Sequence, residues 1–225
     1  MSRLDGWTIV FDLDGTLVDT APDLHAALNH CLTDAGYEAV PFSAIRDMIG
    51  RGAKSMIQEG VAFQNLSISE EALDTVWTRF LHYYRSHISD FSRPFPGVLD
   101  TLTSLADQGA RLAVCTNKTQ DLSEELLESL SLTHHFAAIV GADSVPSRKP
   151  DGDHIIQTIR AAGGEAGRAA MIGDSQTDER AARNAGLPFI FVSFGYGPVP
   201  ETRSEIMWAD TFAEVSAHLS GLAGA

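Results

Sequence analysis

The sequence predicts an α/β protein: a Rossmann-like core with a parallel sheet, helices on both faces of that sheet, and an inserted all-helical unit. Two patterns carry this prediction. From Gly97 onwards, short apolar runs alternate with segments of helical periodicity, which is typical of right-handed βαβ crossovers. Between residues 22 and 94, strand patterns are hard to find, and Leu24, Leu28 and Leu32 follow helical spacing.

The composition is that of a globular chain with a substantial core, because 44% of its 225 residues are hydrophobic. Its 16 basic and 30 acidic residues give a formal charge of -14, which opposes binding to nucleic acids and anionic membranes. No apolar run approaches the roughly 18 residues of a membrane span, and the start lacks a signal-peptide pattern. We therefore expect a cytoplasmic protein without nucleic-acid or membrane partners, with Cys31 and Cys115 as reduced thiols.

The first strand, predicted to begin at Thr8, leads into the most informative stretch of the chain. An apolar run is followed by Asp12 and Asp14, and Gly15 lets the backbone turn at once. Open α/β sheets hold ligands at the carboxyl ends of their strands, so both carboxylates are expected at one crevice mouth. Crowded carboxylates need a cation, and oxygen-only ligands favour Mg²⁺. The pattern indicates phosphoryl chemistry.

The helical insertion is predicted to form a cap domain over residues 20–94, leaving residues 1–19 and 95–225 as the core. Its longest helix is expected to start near Ser67 or Ser69, with Glu70 as the capping-box partner of Ser67. An apolar stripe on that helix is interpreted as core packing. The stripe consists of Leu73, Val76, Trp77, Phe80, Leu81 and Tyr84.

The remainder of the chain alternates helices and strands after a linker at residues 93–97. With the first strand, the strands number five, and the chain is expected to end in a frayed segment, 220–225. The predicted strands are 111–115, 137–140, 169–172 and 189–192, and the predicted helices are 98–107, 121–130, 153–162, 178–184 and 210–219.

Polar residues follow several of these strands. Thr116 and Asn117 come directly after one strand and supply groups that bind phosphate oxygens. Lys149 precedes a helix and can act as a point charge on a phosphate, while Asp174 and Asp178 follow a third strand. Each alone is an ordinary turn, loop or cap residue. Their shared position at strand ends favours a single site.

With these motifs the sequence resembles the haloacid dehalogenase superfamily over nearly its whole length. The motifs are DLDGT at 12–16, TN at 116–117, KP at 149–150 and GDSQTD at 173–178. Further strings resemble the phosphoglycolate phosphatase branch of that superfamily, whose cap is inserted after the first motif. They are GRG at 50–52, FPGV at 95–98, TNK at 116–118 and RKPD at 148–151, although Gly152 stands where that branch is expected to have proline.

The resemblance implies a Mg²⁺-dependent phosphomonoester hydrolase with an aspartyl-phosphate intermediate, acting on 2-phosphoglycolate. Asp12 would be the nucleophile, and Asp14 would serve as acid and then as base. Mg²⁺ would be held by Asp12, Asp174 and the backbone carbonyl of Asp14, with Asp178 behind these ligands. The groups expected to bind the transferring phosphoryl are Thr116, Asn117 and Lys149.

Substrate choice is expected to come from the cap. Arg51 lies between two glycines, and by resemblance this loop faces the site when the cap closes. A guanidinium pairs well with a carboxylate, so Arg51 is a candidate contact for the substrate. The partner is therefore predicted to be a small phosphorylated metabolite, and the chain to be a monomer or homodimer.

Four alternatives to this function remain. The enzyme alternatives are a phosphatase for another small ester or for pyrophosphate, and a β-phosphoglucomutase-like phosphomutase that returns the phosphoryl group to a sugar. A phospho-receiver signalling domain is disfavoured by the order of its acidic residues and by the long insertion. A nonenzymatic phosphate-binding regulator is disfavoured because every catalytic position is filled.

Overall fold

The structure, a computed structural model, describes residues 4–200 and 206–224. Within these residues the chain forms eight strands and nine α-helices, with short 3₁₀ turns between some of them. The strands are β1 (Thr8–Phe11), β2 (Val18–Asp19), β3 (Arg93–Pro94), β4 (Arg111–Cys115), β5 (Ala138–Val140), β6 (Ala169–Gly173), β7 (Phe189–Val192) and β8 (Met207–Ala209). The helices are α1 (Ala21–Asp34), α2 (Phe42–Ile45), α3 (Ala53–Ala62), α4 (Glu70–Ser86), α5 (Val98–Asp107), α6 (Gln120–Ser129), α7 (Gly152–Ala161), α8 (Gln176–Asn184) and α9 (Phe212–Ala223).

Six of the strands form one parallel sheet in the order β5-β4-β1-β6-β7-β8. Strand β1 is fully buried because β4 and β6 flank it and helices cover both faces of the sheet. In register, Phe11 lies beside Val114 of β4 and Ile172 of β6. The three strands therefore end together, and the predicted α/β class with a Rossmann-like parallel sheet is confirmed.

The short strands β2, β3 and β8 are absent from the prediction. Strand β8 has three residues and pairs with β7 at the edge of the sheet, so it is too short to show an alternating pattern. The predicted linker at residues 93–97 contains β3, which pairs antiparallel with β2, with Val18 opposite Pro94. The chain thus leaves and re-enters the sheet region through a two-stranded ribbon.

Several helix ends differ from the prediction: α6, α7 and α8 begin one or two residues earlier than predicted, and α9 begins two residues later and ends four residues later. Ser69, one of the two predicted starts, caps α4, because its hydroxyl accepts a hydrogen bond from the Ala72 N–H at 3.3 Å. The expected capping box between Ser67 and Glu70 is wrong. Helix α9 continues to Ala223, so most of the segment predicted to fray is helical. The last residue, 225, lies outside the described residues.

Gly152 begins α7, where a proline was expected from the family pattern. A Cβ atom at this position would lie 2.5 Å from the backbone nitrogen of Ala185 and 2.6 Å from the carbonyl carbon of Asn184. Real Cβ atoms do not approach backbone that closely, so the start of α7 packs against the end of α8 only with glycine. The departure at Gly152 is therefore matched by local packing.

Apolar side chains form three clusters. Two of them cover the two faces of the sheet, and the third packs α1, α3 and α4 around Leu28, Ile57 and Phe80. Leu122 and Tyr196, from outside residues 20–94, also belong to the third cluster. The division into a core and a cap domain stays a prediction.

A buried carboxylate holds the two ends of the insertion together. Asp23, near the start of α1, accepts hydrogen bonds from the N–H groups of Phe91 and Ser92 and from the Ser92 hydroxyl at 2.6–3.1 Å. Hydrogen bonds of this kind offset the cost of burying the charge. Within the described ranges, no helix has both the length and the apolar character needed to cross a bilayer.

Candidate active site

A cavity of about 980 Å³ lies where the carboxyl ends of β1 and β4 face helices α3 and α4. Every residue predicted for the site except Asp174 and Asp178 lines this cavity, and those two lie beside Asp12 at its base. Residues of the insertion form the opposite wall. Examples from that wall are Met48, Arg51, Lys54, Trp77 and Tyr84.

Asp12 and Lys149 form the buried base of the cavity. Asp12 directly follows β1, and its Oδ1 lies 2.8 Å from the Lys149 Nζ and accepts the N–H of Leu13 at 2.7 Å. Lys149 Nζ also donates to Asp178 Oδ1 at 2.7 Å. One buried lysine therefore bridges two buried carboxylates, and this contact fixes the position of both.

Burial disfavours the charged forms of Asp12 and Asp174 and raises the pKa of both carboxyl groups. Burial raises the pKa of Asp12 most, Lys149 opposes this rise, and the negative charges of Asp178 and Asp174 add to it. Burial and the charge of Asp178 raise the pKa of Asp174 to about 6, while the N–H groups of Tyr196 and Gly197 oppose the rise. A positive ion beside these carboxylates would favour their charged forms.

The acidic cluster has the donor set that a hard divalent cation requires. One oxygen from each of Asp12, Asp174 and Asp178 lies within 4.8 Å of the others, and oxygen-only sites of this kind suit Mg²⁺ or a similar ion. Both oxygens of Asp178 already have partners, since Oδ1 faces Lys149 and Oδ2 accepts from the N–H and hydroxyl of Ser175. The residues therefore fit a metal, with Asp178 the least available of the three.

Asp174 is held by backbone donors from the loop after β7. Its Oδ2 accepts the N–H groups of Tyr196 at 2.6 Å and Gly197 at 3.1 Å, and its Oδ1 accepts the Thr16 hydroxyl at 3.3 Å. Gly15 makes this packing possible: its φ is +83°, and an added Cβ would lie 2.4 Å from Asp174 Oδ2. The turn after β1 thus needs glycine for both its conformation and its close approach.

Asp14 faces a lysine that the site prediction did not include. Lys118 Nζ lies 3.1 Å from Asp14 Oδ1 and donates to the Tyr84 hydroxyl at 3.2 Å. Lys118 is only 8% exposed. The TNK string contained this residue, but nothing in the sequence indicated that its side chain would turn inward, because the contact depends on Tyr84 in α4.

Thr116 and Asn117 lie in the cavity wall as predicted from their position after β4. The Thr116 hydroxyl oxygen accepts the N–H of Lys118 at 3.2 Å. The Asn117 side-chain amide donates to the carbonyls of Gly50 at 3.2 Å and Lys149 at 3.0 Å. Asn117 therefore ties the loop carrying Arg51 to the loop carrying Lys149.

Arg51 occupies the outer part of the same wall. Its side chain is 57% exposed, and its Nη2 lies 2.7 Å from Glu59 Oε2. An exposed ion pair of this kind is screened by water and ions and holds its geometry weakly. The structure thus brings Arg51 to the cavity but leaves it free to change partner.

Tyr196 was not expected at the site and links it to the insertion. Its hydroxyl accepts the N–H of Ala21 at 3.1 Å and donates to Asp19 of β2. The guanidinium of Arg46 lies 5.5 Å from the centre of its ring, a distance typical of a cation–π contact. Its backbone N–H contacts Asp174, so one residue contacts the acidic cluster, the two-stranded ribbon and the start of α1.

Basic side chains line the cavity together with five acidic ones, in a chain that is strongly acidic as a whole. Six of the chain's 16 lysines and arginines line it, which supplies the local cations that an anionic substrate needs against a net charge of -14. They are Arg51, Lys54, Lys118, Arg148, Lys149 and Arg180.

The fold and the site are those of an α/β protein with a buried acidic cluster at the carboxyl edge of a parallel sheet. The sequence profile described as haloacid dehalogenase-like hydrolase matches residues 9–192. The chain belongs to this family and is a hydrolase, as the motifs predicted.

Within this family, the chain is similar to proteins named phosphoglycolate phosphatase. The chain is 46% identical over 213 residues to a phosphoglycolate phosphatase from Caulobacter vibrioides, covering 94% of this chain and 90% of that protein. It is 46% identical over 196 residues to one from Agrobacterium fabrum, covering 87% and 84%. The crystal structure of a predicted phosphoglycolate phosphatase from Haemophilus somnus 129PT matches with a TM-score of 0.88 at 29% identity, covering 97% of this chain and 99% of that one. The resemblance to the phosphoglycolate phosphatase branch is confirmed.

Proposed function

We propose that this protein hydrolyses 2-phosphoglycolate to glycolate and phosphate through an aspartyl-phosphate on Asp12. The observation that carries the proposal is the buried contact between Asp12 and Lys149 at the base of the cavity. A lysine there holds the carboxylate in place and supplies positive charge where a phosphoryl group would enter. The names of the similar proteins support the choice of substrate.

In the first step Asp12 attacks phosphorus, and the bond from phosphorus to the ester oxygen breaks. Asp14, two residues further along the turn, gives a proton to the departing glycolate oxygen. In the second step Asp14 takes a proton from water, and the resulting hydroxide attacks phosphorus and releases Asp12. Both aspartates line the same cavity, which agrees with this division of work.

The non-reacting phosphoryl oxygens would be bound by the Thr116 hydroxyl, by the backbone N–H of Asn117 and by Lys149, because both hydrogens of the Asn117 side-chain amide are donated to carbonyls. The Thr116 oxygen already accepts a backbone hydrogen bond, so its own hydrogen remains available to a substrate. These groups are fixed before substrate arrives, and donors that are fixed in advance stabilise developing charge most effectively.

The proposal includes Mg²⁺ as cofactor, held by Asp12, Asp174 and the backbone carbonyl of Asp14, with Asp178 behind them. When bound, the ion offsets the repulsion between these carboxylates and the phosphoryl group. The raised pKa values of Asp12 and Asp174 support a cation at this place, because both carboxylates are disfavoured without one.

Residues 20–94 are proposed to act as a cap that closes over the substrate. The cavity wall is built partly from this segment, and the ribbon of β2 and β3 joins it to the sheet region. Arg51 is a candidate contact for the substrate from this side. Closure would exclude bulk water from the aspartyl-phosphate.

The test is phosphate release from a panel of phosphomonoesters and pyrophosphate, with Mg²⁺, with Ca²⁺ and with excess chelator. We expect 2-phosphoglycolate to have the highest kcat/KM, Ca²⁺ to support little turnover because its coordination is larger and looser, and chelator to stop the reaction. A higher kcat/KM for another ester would show that this ester, and not 2-phosphoglycolate, is the preferred substrate. Full turnover in excess chelator would show that the reaction does not require a metal. Phosphoryl transfer between sugar hydroxyls with little phosphate release would indicate a phosphomutase.

A further inference from the structure

Two hydrogen-bond donors in the cavity wall have no nitrogen or oxygen acceptor within residues 4–200 and 206–224. Lys118 Nζ carries three hydrogens: one faces Asp14 Oδ1 at 3.1 Å, and another is donated to the Tyr84 hydroxyl at 3.2 Å. Among the residues that the structure describes, no nitrogen or oxygen atom accepts its third hydrogen, and the centre of the Tyr84 ring lies 4.6 Å from Nζ. The Tyr84 hydroxyl accepts from Lys118, and within the same residues its own hydrogen also has no acceptor.

Both donors without an acceptor are buried, which indicates that a ligand accepts their hydrogen bonds. Tyr84 is 0% and Lys118 8% exposed, and a buried donor without an acceptor costs free energy that a fold rarely tolerates without compensation. Burial raises the pKa of the Tyr84 hydroxyl to about 12, so it keeps its proton. The ion pair with Asp14 Oδ1 at 3.1 Å favours the charged form of Lys118. Both groups therefore remain donors at neutral pH.

A carboxylate fits this pair of donors. It is negative, it only accepts hydrogen bonds, and its two oxygens can take one hydrogen each from neighbouring groups. The phosphoryl end of a substrate has its own partners around Asp12 and Lys149 at the cavity base. The donors of Lys118 and Tyr84 thus lie beside the reacting centre, next to Asp14.

We propose that Lys118 and Tyr84 form the binding site for the carboxylate of the substrate. The inference rests on the proposed function, because in 2-phosphoglycolate a single methylene separates the carboxylate from the ester oxygen that Asp14 would protonate. A cation 3.1 Å from Asp14 is therefore within reach of that carboxylate. Once Asp14 has given up its proton, Lys118 would also offset the repulsion between the substrate carboxylate and the Asp14 carboxylate.

The other five cations of the cavity suit this role less well, and two of them, Arg148 and Arg180, are exposed. Arg51 is more than half exposed and is paired with Glu59, and Lys54 is exposed and paired with Asp74 at 2.5 Å. Lys149 is buried, but it lies between Asp12 and Asp178, where the phosphoryl group would bind. Lys118 alone among the cations of the described cavity wall is buried beside Asp14.

The test compares kcat/KM for 2-phosphoglycolate with kcat/KM for ethyl phosphate, in which a methyl group replaces the carboxylate. We expect Tyr84→Phe to lower the ratio of the two values by roughly 10-fold and Lys118→Met to lower it by roughly 100-fold, the range for hydrogen bonds and ion pairs to a charged group. Tyr83→Phe removes a hydroxyl from the same helix outside the cavity wall and should leave the ratio as it is.

An unchanged ratio in both variants would reject the inference while phosphate release from 2-phosphoglycolate upheld the proposed function. If the variants fail to fold, or if the protein releases no phosphate, the inference can still be tested by a binding measurement on the wild-type protein. Calorimetry should show that 2-phosphoglycolate binds at least about 10-fold more tightly than ethyl phosphate. Equal affinities would overturn the carboxylate site whether or not the protein turns over either ester.

Discussion

The two walls of the cavity use charge in different ways. On the sheet side, Lys149 is buried between Asp12 and Asp178 with both contacts shorter than 3 Å. On the helical side, Arg51 and Lys54 form ion pairs with Glu59 and Asp74, and the side chains of the two cations are about half exposed. Buried pairs lose geometry only at a high cost, whereas exposed pairs are screened and rearrange easily. The sheet side is therefore suited to fixed chemistry, and the helical side to a surface that adapts to different leaving groups.

The largest effect is expected at the buried side, from Asp12→Asn. An amide is a poor nucleophile for phosphorus, so kcat should fall by at least ~10⁴-fold, the scale of removing a catalytic nucleophile. Steady-state phosphate release measures the loss, and circular dichroism confirms that the fold is kept. Residual turnover near that of the wild type would exclude Asp12 as the nucleophile.

A smaller but selective loss is expected from Asp14→Asn. Without an acid, turnover should fall by roughly 100-fold or more, and esters with poor leaving groups should suffer most. Comparing an alkyl phosphate with p-nitrophenyl phosphate, whose leaving group needs no proton, measures this selectivity. Equal losses for the two esters would contradict the acid role.

A third effect concerns stability rather than rate. In the metal-free protein the pKa of Asp174 is raised from 3.8 to about 6, so the folded state holds a proton that the unfolded state has released between these pH values. The stability linked to that proton is present below about pH 4 and is lost as pH rises through about 6. Asp174→Asn should therefore raise the Tm of the metal-free protein at pH 8. The expected shift is about 2–4 °C for each 1 kcal/mol gained in the free energy of unfolding.

The matched measurement for this variant is the same melting curve near pH 4 and again with Mg²⁺ at pH 8. The gain should disappear at the lower pH, and added Mg²⁺ should stabilise the wild type more than the variant. A gain in Tm that is independent of pH would show that packing, and not the crowded carboxylates, explains it.

The smallest effect is expected on the exposed side, from Arg51→Ala. Because Arg51 is 57% exposed and its pair with Glu59 is screened, kcat/KM for 2-phosphoglycolate should fall by only about 3-fold, as for other exposed charges. The value for p-nitrophenyl phosphate should hardly change. A loss as large as that of Lys118→Met would show that Arg51, in the outer wall, contacts the substrate carboxylate. The two walls would then not differ in the way described above.

Five of the six strands of the sheet and the members of the acidic cluster could be predicted from the sequence. Asp12, Lys149 and Asp174 could be placed together because parallel strands end at one edge, so residues that follow strands meet there regardless of their distance along the chain. The predicted helix 98–107 and strand 111–115 agree with α5 and β4 for a similar reason, since hydrophobic periodicity and a stop at Gly109 are local signals.

Only the tertiary structure decided which side chains turn inward from the other elements. Tyr84 was predicted to be a packing residue, and packing does bury it, yet its hydroxyl meets Lys118 because α4 lies over the end of β4. Tyr196 and the strand β8 had no local signal, since their partners are more than ten residues away in sequence. Periodicity fixes the face of an element but not what packs against it, so contacts between the insertion and the sheet follow from long-range packing alone.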